Sequence, residues 1–353
     1  MMSCPRCRMA RRSFLKAVAG GAAAALAAGL PGSALLAAGG TAGAIDFHTH
    51  MIDPDLPNLI TGQMVSTDLA AWMQGFASPE VHVAHMDKYG VQAHVVGHSN
   101  ATQGISWGDA RHDLGVHQRV NDRIARDWVK AHPGRFHGAF GLPTQDLKLA
   151  IPELERAVTQ LGMKVLQLSS QSPDGAYFGD PRFDPLWEAI QHFGVTVFIH
   201  PHGQGKEPPL DGFALANSVG QGVEEIKVMT SIIYNGVFDK FPRAKIVIAH
   251  GGGFLPHYYG RLDRNAHERP DTSRNISKLP SAYLKDFYYD SCVYGPEILA
   301  ALIRVVGVDR IVLGSDFPVG EADGLSALRA TPNLSAADVT RIARTTPAAL
   351  LGL

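Results

Sequence analysis

Ala44-Ile45-Asp46-Phe47-His48-Thr49-His50 is the stretch around which this chain is organised. It predicts a buried strand, and because side chains on a strand alternate between its two faces, we expect His48 and His50 to point the same way. Two imidazoles on one face of a strand can bind one metal ion. We interpret Asp46, the carboxylate of the stretch, as structural. The stretch therefore predicts both the first strand of the fold and part of a metal site.

Three further apolar runs end in a side chain that can bind a metal. They are Val195-Thr-Val-Phe-Ile-His200, Lys245-Ile-Val-Ile-Ala-His250 and Arg310-Ile-Val-Leu-Gly-Ser-Asp316. One run that ends in histidine is ordinary, but four runs that end in His or Asp are hard to explain by packing. We interpret three imidazoles and one carboxylate as the ligands of one divalent ion, zinc or alternatively manganese, with a position left for water. The predicted ligands are His48, His50, His200 and Asp316.

Short apolar runs alternate with longer amphipathic segments along the rest of the chain. The predicted strands are Ile45–His48, Val91–Gly97, Phe136–Leu142, Met163–Leu168, Val195–His200, Lys245–His250, Phe287–Ser291 and Arg310–Ser315. The predicted helices are Val81–Tyr89, Val116–Ala131, Leu147–Leu161, Pro185–Phe193, Val223–Phe238, Pro256–Asn265 and Pro296–Val306. Repeated strand-helix units without a doubly wound glycine fingerprint predict an α/β fold, a (β/α)8 TIM barrel in one domain over residues 45–353. Catalytic groups of such barrels lie at the carboxyl ends of the strands, where these His and Asp residues fall.

The first 44 residues are predicted to be an export signal and not part of the fold. Arg11-Arg12-Ser13-Phe14-Leu15-Lys16 matches the twin-arginine pattern, and residues 17–38 are rich in Ala and Gly. That run is weakly apolar and interrupted by Pro31, so we do not expect a stable membrane anchor. The expected location is periplasmic or secreted.

The charge balance argues against a nucleic-acid-binding protein, and the cysteine content argues against a protein stabilised by disulfides. The chain has 32 Lys and Arg against 33 Asp and Glu; removing the five basic residues of the signal leaves 27 against 33. A mildly acidic mature chain argues against nucleic acid as a partner. Cys292 is its only cysteine, so the mature chain forms no intramolecular disulfide.

Two histidines beyond the predicted ligands have predicted roles. His250 is interpreted as a base or acid beside metal-bound water, because a metal lowers the pKa of that water from ~15.7 to about 7. Asp316 is assigned a catalytic role in addition to ligation. His202, in His200-Pro201-His202, is expected either to orient a ligand or to line the substrate loop. No lysine ends the fourth strand, so a bridging carboxylated lysine is excluded and one metal is favoured over two. The other histidines are interpreted as surface or hydrogen-bonded structural groups.

Several motifs together resemble the amidohydrolase-related family 2 of the metal-dependent hydrolase superfamily, and most closely its aminocarboxymuconate-semialdehyde decarboxylase branch. They are Asp46-Phe-His-Thr-His50, Phe198-Ile-His-Pro201, Ile248-Ala-His-Gly-Gly-Gly253, Leu313-Gly-Ser-Asp-Phe-Pro318 and Tyr289-Asp-Ser-Cys-Val-Tyr294. The resemblance implies a dimeric barrel with one metal ion, in which the residue matching His250 helps to activate metal-bound water. It also implies that Arg261 reaches a substrate carboxylate from the partner subunit. The branch carries arginines in its first helix that this chain lacks, having Pro79-Glu-Val-His-Val-Ala84, which puts a dicarboxylate substrate in doubt.

The leading hypothesis is an exported, mononuclear metal enzyme that acts as a decarboxylase-like carbon–carbon lyase. Its substrate is expected to be a small carboxylated or carbonyl compound attacked by metal-activated water. One alternative is a hydrolase of a lactone, ester or amide that uses the same metal site. The other is an exported metal-binding or ligand-binding barrel without turnover.

Overall fold

Eight parallel strands form one sheet, and each strand pairs with the next one along the chain. The computed structural model describes residues 43–56, 74–102, 104–202 and 214–353, so the predicted signal at residues 1–44 lies almost wholly outside the described residues. The strands are β1 Ile45–Met51, β2 Ala93–His98, β3 Phe136–Phe140, β4 Val165–Ser169, β5 Thr196–His200, β6 Lys245–Ile248, β7 Tyr288–Asp290 and β8 Ile311–Val312. Each of the eight predicted strands overlaps one of these.

The sheet nearly closes on itself between β1 and the residues that follow β8. The amide of Phe47 donates to the carbonyl of Leu313 at 2.8 Å, and the amide of Asp316 donates to the carbonyl of His48 at 2.9 Å. A third bond runs from the amide of His50 to the carbonyl of Phe317 at 2.8 Å. Eight parallel strands in a nearly closed ring agree with the predicted (β/α)8 barrel.

Helices connect the strands and pack against the outside of the sheet. The larger ones are α1 Pro79–Tyr89, α2 Ala110–Arg123, α3 Leu147–Thr159, α4 Asp184–Phe193, α5 Gln221–Tyr234, α6 Gly260–Glu268 and α7 Pro296–Val306. Shorter helices span Ser99–Thr102, Val237–Lys240, Leu255–Tyr258, Pro280–Tyr283, Gly324–Arg329, Ala336–Thr340 and Thr346–Leu351. In the part of the chain that the structure describes, no helix combines the length and apolar character that a membrane span requires.

Several predicted elements differ from the structure in their bounds: the predicted helix Pro256–Asn265, for example, is divided into Leu255–Tyr258 and Gly260–Glu268. Three other differences have clear local reasons. The predicted helix Val223–Phe238 is interrupted because Gly236 adopts a left-handed conformation, with φ of 67°. The predicted strand Lys245–His250 ends at Ile248 because His250 leaves the extended conformation, with φ of 47°. The predicted helix Val116–Ala131 begins earlier, at Ala110, where the side chain of Asp109 caps it.

Two apolar clusters hold the barrel together. The larger cluster joins one face of the strands to the surrounding helices and includes Trp128, Trp187 and Phe287. The smaller cluster contains strand residues of the opposite, inner face, among them Ile45, Phe47, Ala93, Val95, Ala139, Val165, Phe198, Val247 and Val312. Leu350 and Leu351 of the C-terminal helix belong to it. The inside of the barrel is therefore packed, and polar groups gather where the strands end.

Candidate metal centre

Four side chains from three parts of the sequence converge at the ends of the strands. They are the predicted ligands His48, His50, His200 and Asp316, all buried, with one potential ligand atom from each within 4.8 Å of the others. The Nε2 atoms of His48 and His50 lie 3.0 Å apart, and Nε2 of His50 lies 2.7 Å from Oδ1 of Asp316. Three imidazoles and one carboxylate at these spacings suit a single zinc or related divalent ion.

An irregularity in β1 presents the two histidines to the centre. The pairing with β2 shifts register between Asp46 and Thr49, so β1 carries one extra residue there. Both Phe47 and His48 then lie against the inner residue Phe198, with ring centroids 6.4 and 4.9 Å away. Oδ1 of Asp46 accepts hydrogen bonds from the amides of His48 and Ser315 at 3.1 Å each. Asp46 thus fixes the backbone around the site, in agreement with its interpretation as structural.

Two functional side chains sit on backbone that non-glycine residues rarely adopt. His250 has φ of 47° and Asp316 has φ of 59°, both in the left-handed region. Around Asp316, the amides of Val319 and Gly320 donate to its carbonyl at 2.9 and 2.8 Å. Gly320 is required there, because a Cβ atom would lie 2.2 Å from the carbonyl oxygen of Ser315. Strained backbone of this kind is typical of functional sites, where the surroundings hold a side chain in one direction.

A carboxylate that the sequence analysis did not identify orients His48. Oδ2 of Asp290, at the end of β7, lies 2.5 Å from Nδ1 of His48, while its Oδ1 accepts from the amides of Gly251 and Cys292. A proton on Nδ1 leaves Nε2 with its lone pair directed at the cluster, which is how a carboxylate prepares a metal-binding histidine. Burial lowers the pKa of His48, but the charges of Asp316 and Asp290 outweigh it and raise the pKa to about 9. A cation that binds Nε2 of His48 would therefore compete there with a proton.

A second unpredicted carboxylate pairs with His250. Oε1 of Glu225, on α5, lies 2.6 Å from Nδ1 of His250, and Nε2 of the same ring lies 3.6 Å from Oδ2 of Asp316. Burial lowers the pKa of His250, but the charge of Glu225, its hydrogen bond to the ring and the charge of Asp316 raise it well above its usual value. His250 therefore holds a proton beside the cluster and faces the carboxylate oxygen that the other histidines do not contact.

The two predicted substrate-binding residues lie outside the four-residue cluster. The amide of His202 donates to Oγ of Ser170 at 3.0 Å, and Ser170 in turn donates to the buried Glu224 at 2.9 Å. This chain of bonds fixes the backbone that follows β5. Arg261 is exposed on α6, where its guanidinium lies 5.9 Å from the ring centre of Tyr258. Within one chain the structure does not bring Arg261 into the buried cluster.

The sequence contains a pattern that could have identified Asp290 as a functional residue, but none that could have identified Glu225. Asp290 stands near the end of the predicted strand Phe287–Ser291, so the rule that found His200 and His250 would have found it as well. Glu225 lies within a helix, where a carboxylate usually faces solvent. Only the folded chain shows that this carboxylate is buried against His250.

Comparison with known proteins gives concordant results. A family model described as amidohydrolase matches residues 45–353. The 2-amino-3-carboxymuconate-6-semialdehyde decarboxylase of Dictyostelium discoideum is 31% identical over 299 residues, which cover 78% of this chain and 82% of that protein. The gamma-resorcylate decarboxylase of Polaromonas sp. (strain JS666) is 28% identical over 270 residues, 73% of this chain and 82% of that protein. A similar fold is found in the crystal structure of a dihydroxybenzoic acid decarboxylase from Polaromonas sp. JS666, which has bound manganese and the inhibitor 2-nitroresorcinol. The two structures superimpose with a TM-score of 0.75 at 24% sequence identity, covering 88% of this chain and 97% of that one.

Proposed function

The chain belongs to the amidohydrolase family, and from this premise we propose that it is a metal-dependent decarboxylase, a carbon–carbon lyase that acts on a small aromatic or unsaturated carboxylate. The observation that carries the proposal is the convergence of His48, His50, His200 and Asp316 beside the His250–Glu225 pair. The relatives named above are decarboxylases, which favours the lyase over the hydrolase alternative. The expectation of an amidohydrolase-family enzyme is confirmed.

We propose one divalent cation, zinc or manganese, held by the four clustered residues. The donor set supports this, because three imidazoles and a carboxylate without any thiolate suit either metal. When bound, such an ion supplies a Lewis acid that polarises a substrate oxygen or activates water. A single site is favoured because β4, Val165–Ser169, carries no lysine that could bridge two ions.

The proton needed by the reaction is assigned to His250 and Asp316. Loss of carbon dioxide breaks a carbon–carbon bond and leaves its electron pair on the substrate carbon, which then needs one proton. Nε2 of His250 and Oδ2 of Asp316 are 3.6 Å apart, so the two groups must approach each other by a few tenths of an ångström before a proton can pass between them. Glu225 stabilises the charged imidazole from the other side, at 2.6 Å from Nδ1. In this proposal His250 is an acid and base, and Asp316 delivers the proton to the substrate carbon.

We further propose that the enzyme works as a homodimer outside the cytoplasm. The twin-arginine motif at Arg11 and Arg12 supports export. Resemblance to the family supports the dimer, in which Arg261 of one subunit grips the substrate carboxylate in the site of its partner. A planar guanidinium binds a carboxylate through two parallel hydrogen bonds. The exposure of Arg261 in the single chain leaves it free to do so.

The function is tested by incubating the manganese-loaded and zinc-loaded protein with aromatic and dienoic acids and, separately, with lactones. The expected result is release of carbon dioxide from at least one acid, detected as loss of the carboxyl group by mass spectrometry. Ring opening of a lactone without carbon dioxide would support the hydrolase instead. Inactivity towards both panels at full metal occupancy would contradict the proposal.

A further inference from the structure

A small polar cavity of about 20 Å³, enough for a single hydroxyl or amino group, lies at the carboxyl ends of β2, β3 and β4, next to the strand that carries His200. Its wall includes the polar side chains Asp113, His117, Thr144, Gln167, Ser169 and Gln171. Two of these, Gln167 and Ser169, belong to β4 itself. Neither has a part in the metal cluster or in the His250–Glu225 pair.

Gln167 and Ser169 each carry a buried polar atom without a hydrogen-bond partner. The atoms are Oε1 of Gln167 and Oγ of Ser169, and each residue is only 4% exposed. An unpaired buried polar atom is costly, about 1–3 kcal/mol in general, so such atoms usually have a bound partner. Both atoms belong to residues that line the same cavity.

The position of these residues connects the cavity to the metal cluster. In the parallel pairing of β4 with β5, Ser169 stands opposite His200 and Gln167 stands opposite Phe198. Paired residues on neighbouring strands share a face and lie about 5 Å apart. The ring of Phe198 in turn contacts that of His48, with the centroids 4.9 Å apart. Ser169 is thus the immediate neighbour of a predicted metal ligand, within the reach of a small molecule bound there.

Two glycines make the room that these side chains occupy. A Cβ atom on Gly97 of β2 would lie 1.7 Å from Oε1 of Gln167. A Cβ atom on Gly104 would lie 2.6 Å from Oγ of Ser169 and 2.7 Å from Cδ2 of His202, and Gly104 has φ of 68°. Any other residue at either position would collide with the polar groups. The close approach of the two glycine backbones defines a narrow, shaped space.

The charge of the cavity favours a neutral group over an anion. Among the described residues that line it there is neither lysine nor arginine, and Asp113 is acidic. The carboxyl group of Asp113 accepts hydrogen bonds from Ser106, the amide of Trp107 and Gln145. A second carboxylate would find no cation there, whereas a hydroxyl or amino group could donate to Oε1 of Gln167.

We propose that Gln167 and Ser169 form a specificity subsite for a neutral hydrogen-bond donor, a hydroxyl or amino group, on a substrate with a single carboxylate. The inference rests on the proposed function, in which the carboxylate end of the substrate lies at the metal cluster. It adds the requirement that the substrate carry a polar, uncharged substituent towards β4. A substrate with a single carboxylate would not need a second carboxylate-binding group, which agrees with the absence of arginine from the first helix, Pro79–Tyr89.

The test measures binding of simple benzoates to the manganese-loaded full-length protein by calorimetry. The probes are benzoate, the three hydroxybenzoates, 3-aminobenzoate and isophthalate, which has a second carboxylate. At least one hydroxylated or amino acid should bind about tenfold more tightly than benzoate, and isophthalate should bind no better than benzoate. In Gln167→Met, which keeps the size of the side chain but removes its amide, the ratio of the two affinities should fall to about one, whatever happens to the affinity for benzoate itself.

Ser169→Ala is the second variant and changes only one atom, so it keeps the test decisive if Gln167→Met unfolds. Gln160→Met, on the exposed end of α3, is the matched control and should behave like the wild type. The subsite would be overturned by equal binding of all the acids, by tighter binding of isophthalate or by failure of every probe to bind. Survival of the preference in both variants would overturn it as well. If a water molecule is the only occupant of the cavity, any preference among the acids would survive in both variants. If hydroxylated or amino acids bind more tightly but no acid releases carbon dioxide, the decarboxylase is refuted and the subsite stands. If an acid releases carbon dioxide but shows no such preference, the decarboxylase stands and the subsite is refuted.

Discussion

Nδ1 of His48 and Oδ2 of Asp290 lie 2.5 Å apart in a pair that is fully shielded from solvent. Oδ1 of Asp290 is already occupied by the amides of Gly251 and Cys292, so Asp290→Asn would keep its carbonyl there and turn its amide nitrogen towards His48. A donor at that position favours the tautomer with its proton on Nε2, which cannot bind a metal. We expect metal affinity to fall about 10- to 100-fold with the fold retained.

Metal titration by calorimetry, with circular dichroism as the check on folding, measures this effect. Asp309→Asn is the control, because Asp309 is exposed and pairs with Arg341 on the surface. An unchanged affinity in Asp290→Asn would show that Asp290 does not orient the ligand.

The contact between Glu225 and His250 leads to a prediction about rate. Glu225→Gln removes the charge that keeps the His250 imidazole protonated, and His250→Ala removes the imidazole itself. We expect kcat to fall about 100-fold or more in His250→Ala and less in Glu225→Gln, with metal content unchanged in both. Elemental analysis and steady-state kinetics measure the two quantities, with the exposed Glu155→Gln as control. Full activity in His250→Ala would exclude His250 from the chemistry, and no activity in any form would favour a barrel that only binds.

Tyr294 contacts the same carboxylate oxygen that His250 faces. Its hydroxyl donates to Oδ2 of Asp316 at 3.3 Å, on a residue with φ of 55°. Tyr294→Phe removes one hydrogen bond worth about 1 kcal/mol, so we expect kcat to fall roughly fivefold while metal content stays the same. Tyr288→Phe is the matched control, because Tyr288 packs on Arg310 at the other end of β7. Loss of metal in Tyr294→Phe would mean that the hydroxyl holds Asp316 in place for ligation.

The buried histidine His98 predicts how stability depends on pH. Burial, together with the charge of His117, lowers the pKa of His98 to about 3, and its Nε2 accepts a hydrogen bond from the amide of Asp53 at 3.0 Å. Below pH 6.5 the unfolded chain takes up a proton that the folded chain refuses, so stability is lost as the pH falls from 6.5 towards 3. At pH 5, 1.5 units below the unfolded pKa, this histidine costs about 2 kcal/mol of unfolding free energy.

His98→Gln keeps an acceptor near the position of Nε2 but cannot take up a proton. Between pH 7.5 and 5 its free energy of unfolding, from urea titrations, should fall by about 2 kcal/mol less than that of the wild type. His267→Gln, at an exposed histidine, should follow the wild type. Equal losses in His98→Gln and wild type would assign the acid sensitivity to other groups.

The proposed role of Arg261 requires two subunits and can be tested by mixing inactive proteins. If Arg261 of one subunit serves the site of the other, a dimer of one His250→Ala and one Arg261→Ala subunit contains one intact site and one doubly defective site. Random exchange makes half of the dimers mixed, so about a quarter of wild-type activity should return. No recovery in a sample that light scattering shows to be dimeric would place Arg261 in the site of its own chain or outside the chemistry.

The sequence predicted the fold and the cluster for different physical reasons. Eight apolar runs alternating with amphipathic segments predict strands and helices, because the periods of burial differ between them. His48, His50, His200 and Asp316 were found because all follow apolar runs, and the ends of parallel strands meet on one face of a barrel. The boundaries of β6 could not be predicted, since the left-handed conformation of His250 depends on surrounding contacts. Glu225 escaped prediction because its burial arises from packing between distant segments.

The seam of the barrel has a consequence for how the protein is made. His48 and His50 lie near the start of the described chain, and their partner Asp316 follows 266 residues after His50. The amide of Asp316 and the carbonyl of His48 are themselves joined across that seam. A ribosome must therefore synthesise the 266 residues that separate His50 from Asp316 before the four clustered residues can meet, and an ion held by them would join β1 to the segment after β8. Metal binding would thus stabilise the barrel only after all of its strands have formed. A chain that ended before β8 would lack Asp316 and could not be stabilised in this way.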